Sequence, residues 1–513
     1  MRESTVKSLK LNRDLDRYIE KGLQEDRPIK IGWGQAGDER PKKGEIGVIT
    51  HLPKGARVLC LGDLGECAGS MNMGGNFTLR GSSSSMLGAY QKGGRTNVEK
   101  DAGSKVGYRM SGGEITVQGS VGDDSGSGMN GGTIVVRGHA GSRLGAGMED
   151  GSIVVIGSVG TDPGIGMKGG RILVSGSCPP PRDGVLMRSI KKKEITEFAK
   201  LLEPIGSSLN DDTLVLEPDG AIVNESSKPE RFVMEGFEKI CLSSNADPLP
   251  ESSTLDHYTV ILPSNSDSDG LLLPIPWIVK SSSTKEWEGE LSEKQPAIVS
   301  ESPRDNDLLL INEENLADSH DSLKNCSGVA LDISDFPGLN DAEIEGLLVS
   351  LYSRMSDPSL VFLKGGVDRI ENLFRLVIEL ELDGAIVDCS LPGGSRLSST
   401  LPRIGLASKA MGLREQSKFI LLETAEMPNA RDLVISVAAG CHALVSPCSE
   451  KEIEGVLAEL GNGLRGWMNE LGIESIERIG RRNLRAIDYD TASISGLRLV
   501  GYDRPLPMWL DLR

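Results

Sequence analysis

The glycine-rich stretch GSGMNGGTIVVRG, residues 126–138, is the first place in the chain where chemistry can be sought. Glycine-rich loops bind phosphate when their backbone N–H groups surround the anion and a helix begins directly after them. Here the loop continues into Thr-Ile-Val-Val, which is a strand-type sequence, and no helix start follows. The alternative is that the stretch is one unit of a repeating scaffold.

The same glycine pattern recurs every nineteen residues without an insertion. Its two clearest columns are Gly75, Gly94, Gly113, Gly132, Gly151 and Gly170, and Gly69, Gly88, Gly107, Gly126, Gly145 and Gly164. Methionine recurs with the same step at Met110, Met129, Met148 and Met167. A strict short period over more than a hundred residues indicates stacked coils.

Between the glycine columns lie short β-type runs such as IVVR (134–137) and IVVI (153–156). A step of nineteen suits one coil of a β-solenoid, in which strands of successive coils pair in parallel about 4.8 Å apart. We expect glycine where a coil turns with positive φ or where backbones stack closely, and methionine in the interior. On this interpretation the glycines of the opening stretch are structural, and they do not form a phosphate site.

Cysteine and histidine spacing predicts no metal site. The eight cysteines contain no CxxC pair, and their spacings match neither a zinc ribbon nor an iron–sulfur cluster. The five histidines have no ligand spacing either. We therefore expect scattered, reduced thiols.

Composition and charge narrow the class of partner. The formal net charge of −18 and the pI near 5.0 disfavour binding to nucleic acid. The N-terminus has no apolar signal segment, and the longest mostly apolar stretch, 433–445, is too short to span a bilayer. We expect a cytoplasmic protein without membrane contact, divided into two or three domains.

Both ends of the repeat are bordered by segments that could cover its open strands. A predicted N-terminal helix places on one face Leu15, Tyr18, Ile19 and Leu23. A second helix is predicted at about 190–202, after the stop CPPPRDG. The expected domains are an N-terminal helix and cap at 1–50, the β-helix at 51–180, a cap and linker at 181–250, and an α/β domain at 251–513.

Beyond residue 327 strands and helices alternate. The strand-like runs are VALDIS (329–334), LVFLKGG (360–366), GAIVD (384–388), FILLET (419–424) and HALVS (442–446). The first helix between them begins at Asn340, with Glu343 completing a capping box. The alternation predicts parallel βα units, as in half of a TIM barrel or in a doubly wound sheet. Because the polar stretch 279–307 reads as loop or linker, we expect only a partial barrel.

The repeated GxGM-x-GG followed by IVVxG, over roughly residues 55–180, resembles the GXGXG domain. That domain is a right-handed parallel β-helix in the glutamate synthase large subunit, and it also forms the body of one of the subunits of formylmethanofuran dehydrogenase. In both families the β-helix chiefly holds catalytic domains in register. The resemblance implies a structural role for this part of the chain.

The second half is similar to the C-terminal half of the FMN-binding synthase domain of glutamate synthase, particularly its archaeal form. On that resemblance Lys364 falls on a flavin-contacting lysine and Asp388 on a strand-end aspartate, while Gly393 and Gly394 fall on glycines of the flavin loop. The residues alone leave other interpretations open. Lys364 can be a surface lysine at a strand end, and the two glycines can be a turn.

Several positions depart from the family pattern. Cys389 and Arg396 stand where glycines are expected, and Glu426 lies where glycine amides should meet the FMN phosphate. Pro428 and Pro447 lack the N–H groups that a phosphate loop needs. These departures disfavour FMN, and we expect no other cofactor.

The first functional hypothesis is therefore a non-catalytic scaffold or assembly subunit of a multi-subunit, glutamate synthase-like oxidoreductase complex. The resemblance implies that separate chains supply the glutaminase and the active FMN synthase. Two alternatives remain open. One is an active, FMN-binding subunit of the glutamate synthase type, and the other is a scaffold subunit of a formylmethanofuran dehydrogenase-like complex.

Overall fold

The computed structural model describes residues 3–34, 40–41, 44–220, 236–244, 247, 249–250, 252–263, 270–336, 338–356, 359–390, 397–448 and 453–502. Its α-helices are α1 (Glu3–Gln24), α2 (Lys192–Leu202), α3 (Glu290–Lys294), α4 (Asp341–Tyr352), α5 (Ile370–Glu379), α6 (Leu397–Met411), α7 (Ala430–Ala438), α8 (Ile453–Leu471) and α9 (Tyr489–Ser495). None of these helices has the length and apolar character needed to cross a membrane.

The chain forms two compact units. The first unit comprises Met1–Ser226 together with Leu339–Arg354, and the second comprises Ser227–Gly338 together with Met355–Arg513. Helix α4 thus belongs to the first unit, although the sequence pattern places it between two strands of the α/β domain. Within the first unit, Glu343 of α4 accepts a hydrogen bond of 2.6 Å from the Lys105 ammonium.

The first unit contains a sheet whose first eight strands lie side by side in chain order. The strands of this sheet are β1 (Ile29–Ile31), β2 (Arg57–Leu61), β3 (Met73–Arg80), β4 (Gly93–Val98), β5 (Glu114–Val117), β6 (Asn130–Val136), β7 (Asp150–Val155), β8 (Arg171–Val174), β9 (Val185–Ser189) and β10 (Leu214–Pro218). From β2 to β8 pairing is parallel, and apart from two local shifts each residue lies beside the residue nineteen positions later. A second ladder of parallel bridges, from Leu64 to Val159, has the same step.

The nineteen-residue step of the sequence is therefore also the step of strand pairing, and we call residues 57–174 the repeat stack. Met110, Met129 and Met148 have no exposed surface, which confirms the prediction that methionine fills the interior. In the second repeat the equivalent position is Gln91, whose side-chain oxygen accepts a 2.8 Å hydrogen bond from Thr96. This buried polar pair explains how the weak strand sequence TNV still forms β4.

The two predicted roles of glycine occur in different columns of the repeat stack. Gly126 has a φ of +70°, and a Cβ atom there would lie 2.4 Å from the Cδ1 atom of Ile153. Gly138 has no positive φ, but a Cβ atom there would lie 2.6 Å from the carbonyl oxygen of Gly119 in the preceding repeat. The first column turns the chain, and the second lets neighbouring backbones approach closely.

The ends of the repeat stack are covered by strands. Strand β1 pairs with β2 at one end, and the antiparallel pair β10 and β9 continues the sheet beyond β8 at the other. Helix α2 instead packs on the outer face, against Val135, Val154 and Leu173. At both ends the sheet is thus continued by strands, because an open parallel edge is completed most directly by another strand.

Helix α1 confirms only half of its predicted apolar face. Leu15 and Ile19 are buried in the core of the first unit. Tyr18 and Leu23 are 59% and 43% exposed. The spacing thus predicts a broader buried face than the one that α1 packs against its neighbours.

The second unit is built around a closed barrel of eight parallel strands. Before the barrel come β11 (Ile240–Leu242), β12 (Thr259–Ile261) and β13 (Leu271–Leu273). The barrel strands are β14 (Trp277–Ser283), β15 (Ala297–Ser302), β16 (Leu308–Ile311), β17 (Gly328–Asp332), β18 (Leu360–Gly366), β19 (Gly384–Asp388), β20 (Phe419–Glu423) and β21 (Ala443–Pro447). β21 pairs with β14 and closes the ring, and β11 pairs with β22 (Leu484–Ala486), which also pairs with β23 (Arg498–Leu499).

The expectation of a partial barrel is therefore wrong. Strands β14 and β15 lie mostly within the polar stretch 279–307 that reads as loop or linker, and β16 follows in the strand-like run DLLLI (307–311). Each contributes only three or four buried residues, and the one α-helix described between β14 and β16 is the five-residue α3. Without long amphipathic helices the strand–helix alternation is missing, so the sequence pattern does not reveal these strands as part of a barrel.

Candidate functional site

Five barrel strands carry a charged residue at the same level near their carboxyl ends. The apolar residues that line the barrel interior include Ile278, Ala330, Phe362, Ile386 and Leu421. Because side chains alternate along a strand, the residue two positions later returns to the interior. In these five strands that later residue is Lys280, Asp332, Lys364, Asp388 and Glu423 respectively, and we call this set the ion cluster. The carboxyl ends of barrel strands are where TIM-barrel active sites are found.

Lys364 is at the centre of the ion cluster. Its ammonium Nζ donates to Asp332 Oδ2 at 2.6 Å, and it lies 2.9 Å from Asp388 Oδ2 and 3.3 Å from Glu423 Oε2. The side chains of these four residues are at most 8% exposed. One buried cation is thus surrounded by three carboxylates from three neighbouring strands.

The second cation of the cluster is closer to solvent. Lys280 Nζ lies 2.5 Å from Glu423 Oε1, and its side chain is 28% exposed. Two ammonium groups and three carboxylates leave the cluster with a formal charge of −1. Asp388 gains two further hydrogen bonds, from the backbone N–H and the hydroxyl of Ser390 at 2.7 and 2.6 Å.

Protonation states follow from these contacts. Burial alone would favour the neutral amine of Lys364, but the combined attraction of Glu423, Asp332 and Asp388 outweighs it and raises the pKa of Lys364. Burial would likewise raise the pKa of Asp388, but Lys364 and the hydrogen bonds from Ser390 outweigh it and lower that pKa. Both groups are charged at neutral pH, and Lys364 has no free amine for nucleophilic attack.

The structure brings two of the four predicted site residues together. Lys364 and Asp388 form a direct ion pair, and the interpretation of Lys364 as a surface lysine is wrong, because its side chain is 5% exposed. Gly393 and Gly394 lie outside the described residues. Reasoning from sequence missed Lys280, Asp332 and Glu423. A signal for them was present, because WIVK, VALD, VFLK, AIVD and ILLE each end an apolar run with a charge.

The position of Lys364 does not fit a flavin. A lysine that contacts a flavin must direct its ammonium at the cofactor, whereas Lys364 directs it at three carboxylates of its own barrel. Asp332 and Asp388 would lose the cation that they share in a buried setting if Lys364 turned away, which is unfavourable.

The region that should hold the FMN phosphate fits no better. Helix α7 begins after the loop 424–429, and its first turn is closed by its own side chains: Asn429 Oδ1 accepts from the Asp432 N–H, and Asp432 Oδ2 accepts from the Asn429 N–H. Glu426 projects from the same loop and lines a cavity beside it. The nearby carboxylates and the occupied N–H groups of Asn429 and Asp432 disfavour a phosphate dianion here.

The ion cluster also differs from a metal centre. Among the residues that the structure describes, no group of three or more His, Cys, Asp and Glu side chains is placed to hold a metal ion. Its three carboxylates instead converge on the ammonium of Lys364. Chemically, each carboxylate of the cluster is paired with an ammonium group of the chain itself.

Comparison with known proteins gives no family. No family model matches the chain, and no curated protein matches it. Among solved structures, an (S)-mandelate dehydrogenase is similar at 12% identity and a TM-score of 0.32, over 49% of this chain and 89% of that one. An IMP dehydrogenase/GMP reductase-like protein from Corynebacterium glutamicum is similar at 11% identity and a TM-score of 0.34, over 52% and 97%.

A third solved structure is the formyltransferase/hydrolase complex from Methylorubrum extorquens in complex with methylofuran. One of its chains is similar at 26% identity and a TM-score of 0.24, over 29% of this chain and 67% of that one. With TM-scores this low, none of these likenesses carries an argument about activity. The function has to be argued from the residues themselves.

Proposed function

We propose that this chain is a non-catalytic scaffold subunit of a multi-subunit, glutamate synthase-like oxidoreductase complex. In this proposal the repeat stack is a right-handed parallel β-helix that positions partner domains. The barrel is a docking module descended from a flavin-binding synthase domain. Glutaminase and FMN synthase activities reside on separate chains.

The observation that carries the proposal is the ion cluster. An active flavin barrel of this type needs a lysine and strand-end groups that are free to contact the cofactor. Here the equivalent lysine, Lys364, makes three ion pairs inside the barrel. A site whose charges are satisfied internally has little left with which to bind and polarise a substrate.

The repeat stack supports the scaffold role independently. Its strands pair in one continuous parallel order with no change of direction from β2 to β8, and further strands pair at both ends. Repeats that contact only their neighbours make a rigid, extended element, which is suited to holding other domains at fixed positions.

A second candidate is an active FMN-binding subunit, and the observation that favours it is the complete barrel with charged groups at the carboxyl ends of its strands. Flavin content separates the two. Purified chain would be incubated with excess FMN, desalted, and scanned for flavin absorbance near 450 nm. We expect no retained flavin, whereas one FMN per chain would overturn the scaffold proposal in favour of the second candidate.

The partner side of the proposal needs its own experiment. The tagged full-length chain would be recovered from its native source, and the bound proteins would be identified by mass spectrometry. We expect stoichiometric glutaminase-like and FMN synthase-like chains. Recovery of the chain alone, with glutamate synthase activity, would contradict a scaffold.

A further inference from the structure

Strand β9 forms one edge of the ten-stranded sheet of the first unit. It pairs with β10 on one side, and no described strand pairs with its other side. Edges of this kind present backbone N–H and C=O groups that can bind another strand, and proteins commonly protect them with proline or with charged side chains. The sequence of β9, VLMRS, contains no proline, and its second and third residues are apolar.

The pairing with β10 shows which backbone groups of β9 turn outward. The Ile190 N–H donates to the carbonyl of the residue before β10, and the Gly184 carbonyl accepts from the N–H of the residue after β10. Hydrogen-bonded and non-hydrogen-bonded positions alternate along an antiparallel ladder, so the odd-numbered residues between these two face away from β10. Met187 and Ser189 therefore direct their N–H groups to the outer edge of the sheet.

The side chains along this edge are also suited to contact with another strand. Leu186 and Met187 are 54% and 41% exposed, although they belong to a paired strand. Successive side chains point to opposite faces, so one of the two lies on each face of the sheet. Met187 lies beside Leu216 of β10, which is fully buried, so the apolar surface continues from the core to the edge. A strand added here would cover both exposed side chains.

A basic surface follows directly after the edge strand. It consists of three consecutive, exposed lysines, namely Lys191, Lys192 and Lys193. The neighbouring carboxylates of Glu194 and Glu217 both form ion pairs with Arg188. The chain as a whole has a formal net charge of −18, so two copies of it repel each other, whereas this local surface attracts an acidic segment.

We propose that β9 is a docking edge for an extended, acidic segment of a partner protein, which adds to the sheet as a further strand. The segment runs antiparallel to β9, as β10 does, and its acidic N-terminal residues lie beside Lys191, Lys192 and Lys193. Its following apolar residues contact Leu186 and Met187. In strand addition the backbone hydrogen bonds supply affinity and the side chains supply specificity. The inference is independent of the scaffold proposal, since a partner of any activity can carry such a segment.

The test uses the full chain and the peptide acetyl-Asp-Glu-Asp-Thr-Val-Thr-Val-Thr-amide, with binding measured by isothermal titration calorimetry. One comparison peptide has lysine at the three acidic positions. Two others keep every side chain but carry N-methyl groups on alternate residues, in either of the two registers, which removes backbone donors. We expect saturable binding of the acidic peptide and loss of binding for the lysine peptide and for one N-methylated register. Absence of binding by the acidic peptide, or equal binding of all four, would overturn the proposal.

Two matched variants and hydrogen exchange locate the bound peptide. Lys192→Glu combined with Lys193→Glu reverses two charges of the basic surface, and Lys200→Glu reverses an exposed charge in the last turn of the same helix α2. We expect the peptide to bind about tenfold more weakly to the double variant and unchanged to the control. Amide exchange at Met187 and Ser189 should slow when the peptide binds. Equal affinity in both variants, or unchanged exchange at these amides, would place the peptide elsewhere and overturn the assignment. Protection of the same amides by raised concentration of the chain alone would make a second copy the occupant, which would also overturn it.

Discussion

Removing the ammonium of Lys364 tests directly whether the stability of the barrel depends on this buried charge. Lys364→Met keeps the length of the side chain and deletes its charge. Glu423 would still contact Lys280, but Asp332 and Asp388 would lose the cation that they share. Two carboxylates that are 8% and 2% exposed would then be left without it.

The magnitude follows from the cost of an uncompensated buried charge. Breaking a buried ion pair by removing one partner destabilises a protein by about 3–5 kcal/mol, and we expect a loss in this range. For a barrel this size that loss corresponds to a fall of about 1 M or more in the urea midpoint. The matched control is Lys324→Met, which removes an exposed lysine 3.6 Å from an exposed Asp321, and we expect it to change stability by less than about 1 kcal/mol.

The pH dependence of the stability lost in Lys364→Met distinguishes a charge effect from a packing effect. In the wild type the lowered pKa of Asp388 means that its stabilisation is present above the unfolded-state pKa and is lost as pH falls through the folded pKa. In Lys364→Met burial is no longer opposed by the ammonium, so we expect the folded carboxyl pKa values to rise. The variant should then regain stability relative to wild type as pH falls from 8 towards 5.

The assay is urea unfolding of both variants and wild type, followed by tryptophan fluorescence at pH 8, 6.5 and 5. A loss below about 1 kcal/mol at pH 8 would refute the view that the ion cluster holds the barrel together. A loss that does not change with pH would show that the missing contact is steric, and the electrostatic account would be refuted.

Further predictions concern the first unit and one barrel histidine. Gly126→Ala should destabilise the first unit by at least about 1 kcal/mol more than Gly147→Ala in thermal unfolding, because both have positive φ but only Gly126 faces a side chain of the next repeat at 2.4 Å. Gln91→Met and Thr96→Val should each cost about 1–3 kcal/mol in urea unfolding by leaving a buried polar partner, while the double variant should lose less than the sum. Burial lowers the pKa of His442 to about 4. Stability should therefore fall as pH drops from about 6.5 to about 4, and His442→Gln should flatten that part of the profile in urea titrations.

The repeat stack could be predicted from the sequence because its period alone fixes how its strands pair. A fixed step of nineteen leaves only one register in which Ile115, Ile134 and Ile153 can lie side by side, and the observed pairing uses that register. Its ends were less predictable, because strands such as β1 and β10 lie outside the period and carry no repeat signal. Whether a helix or a strand covers an open edge depends on which element packs there in the folded chain, and the repeat period does not specify this.

The barrel and its ion cluster were only partly predictable. Long helices such as α4 and α5 reveal the strand between them, whereas β14 and β15 have almost no flanking helices and lie in a stretch that reads as linker. The run that forms β16 reads as a strand, but no long helix beside it places that strand in a barrel. Lys364 and Asp388 were found from a resemblance, but Asp332 and Glu423 were not, because each strand end was considered alone. Their meeting depends on the register of the neighbouring strands β17 to β20, which places Asp332 beside Lys364 and Asp388 beside Glu423 and which no local pattern encodes.

The central claim is that this chain positions catalytic partners and carries no flavin itself. Native mass spectrometry of the complex purified from its source tests both parts in one spectrum. We predict a complex that contains this chain with further protein subunits, and a mass for the dissociated chain that equals its sequence mass without FMN. A chain that is released with one FMN bound, or that is recovered as a free and catalytically active species, would contradict the account.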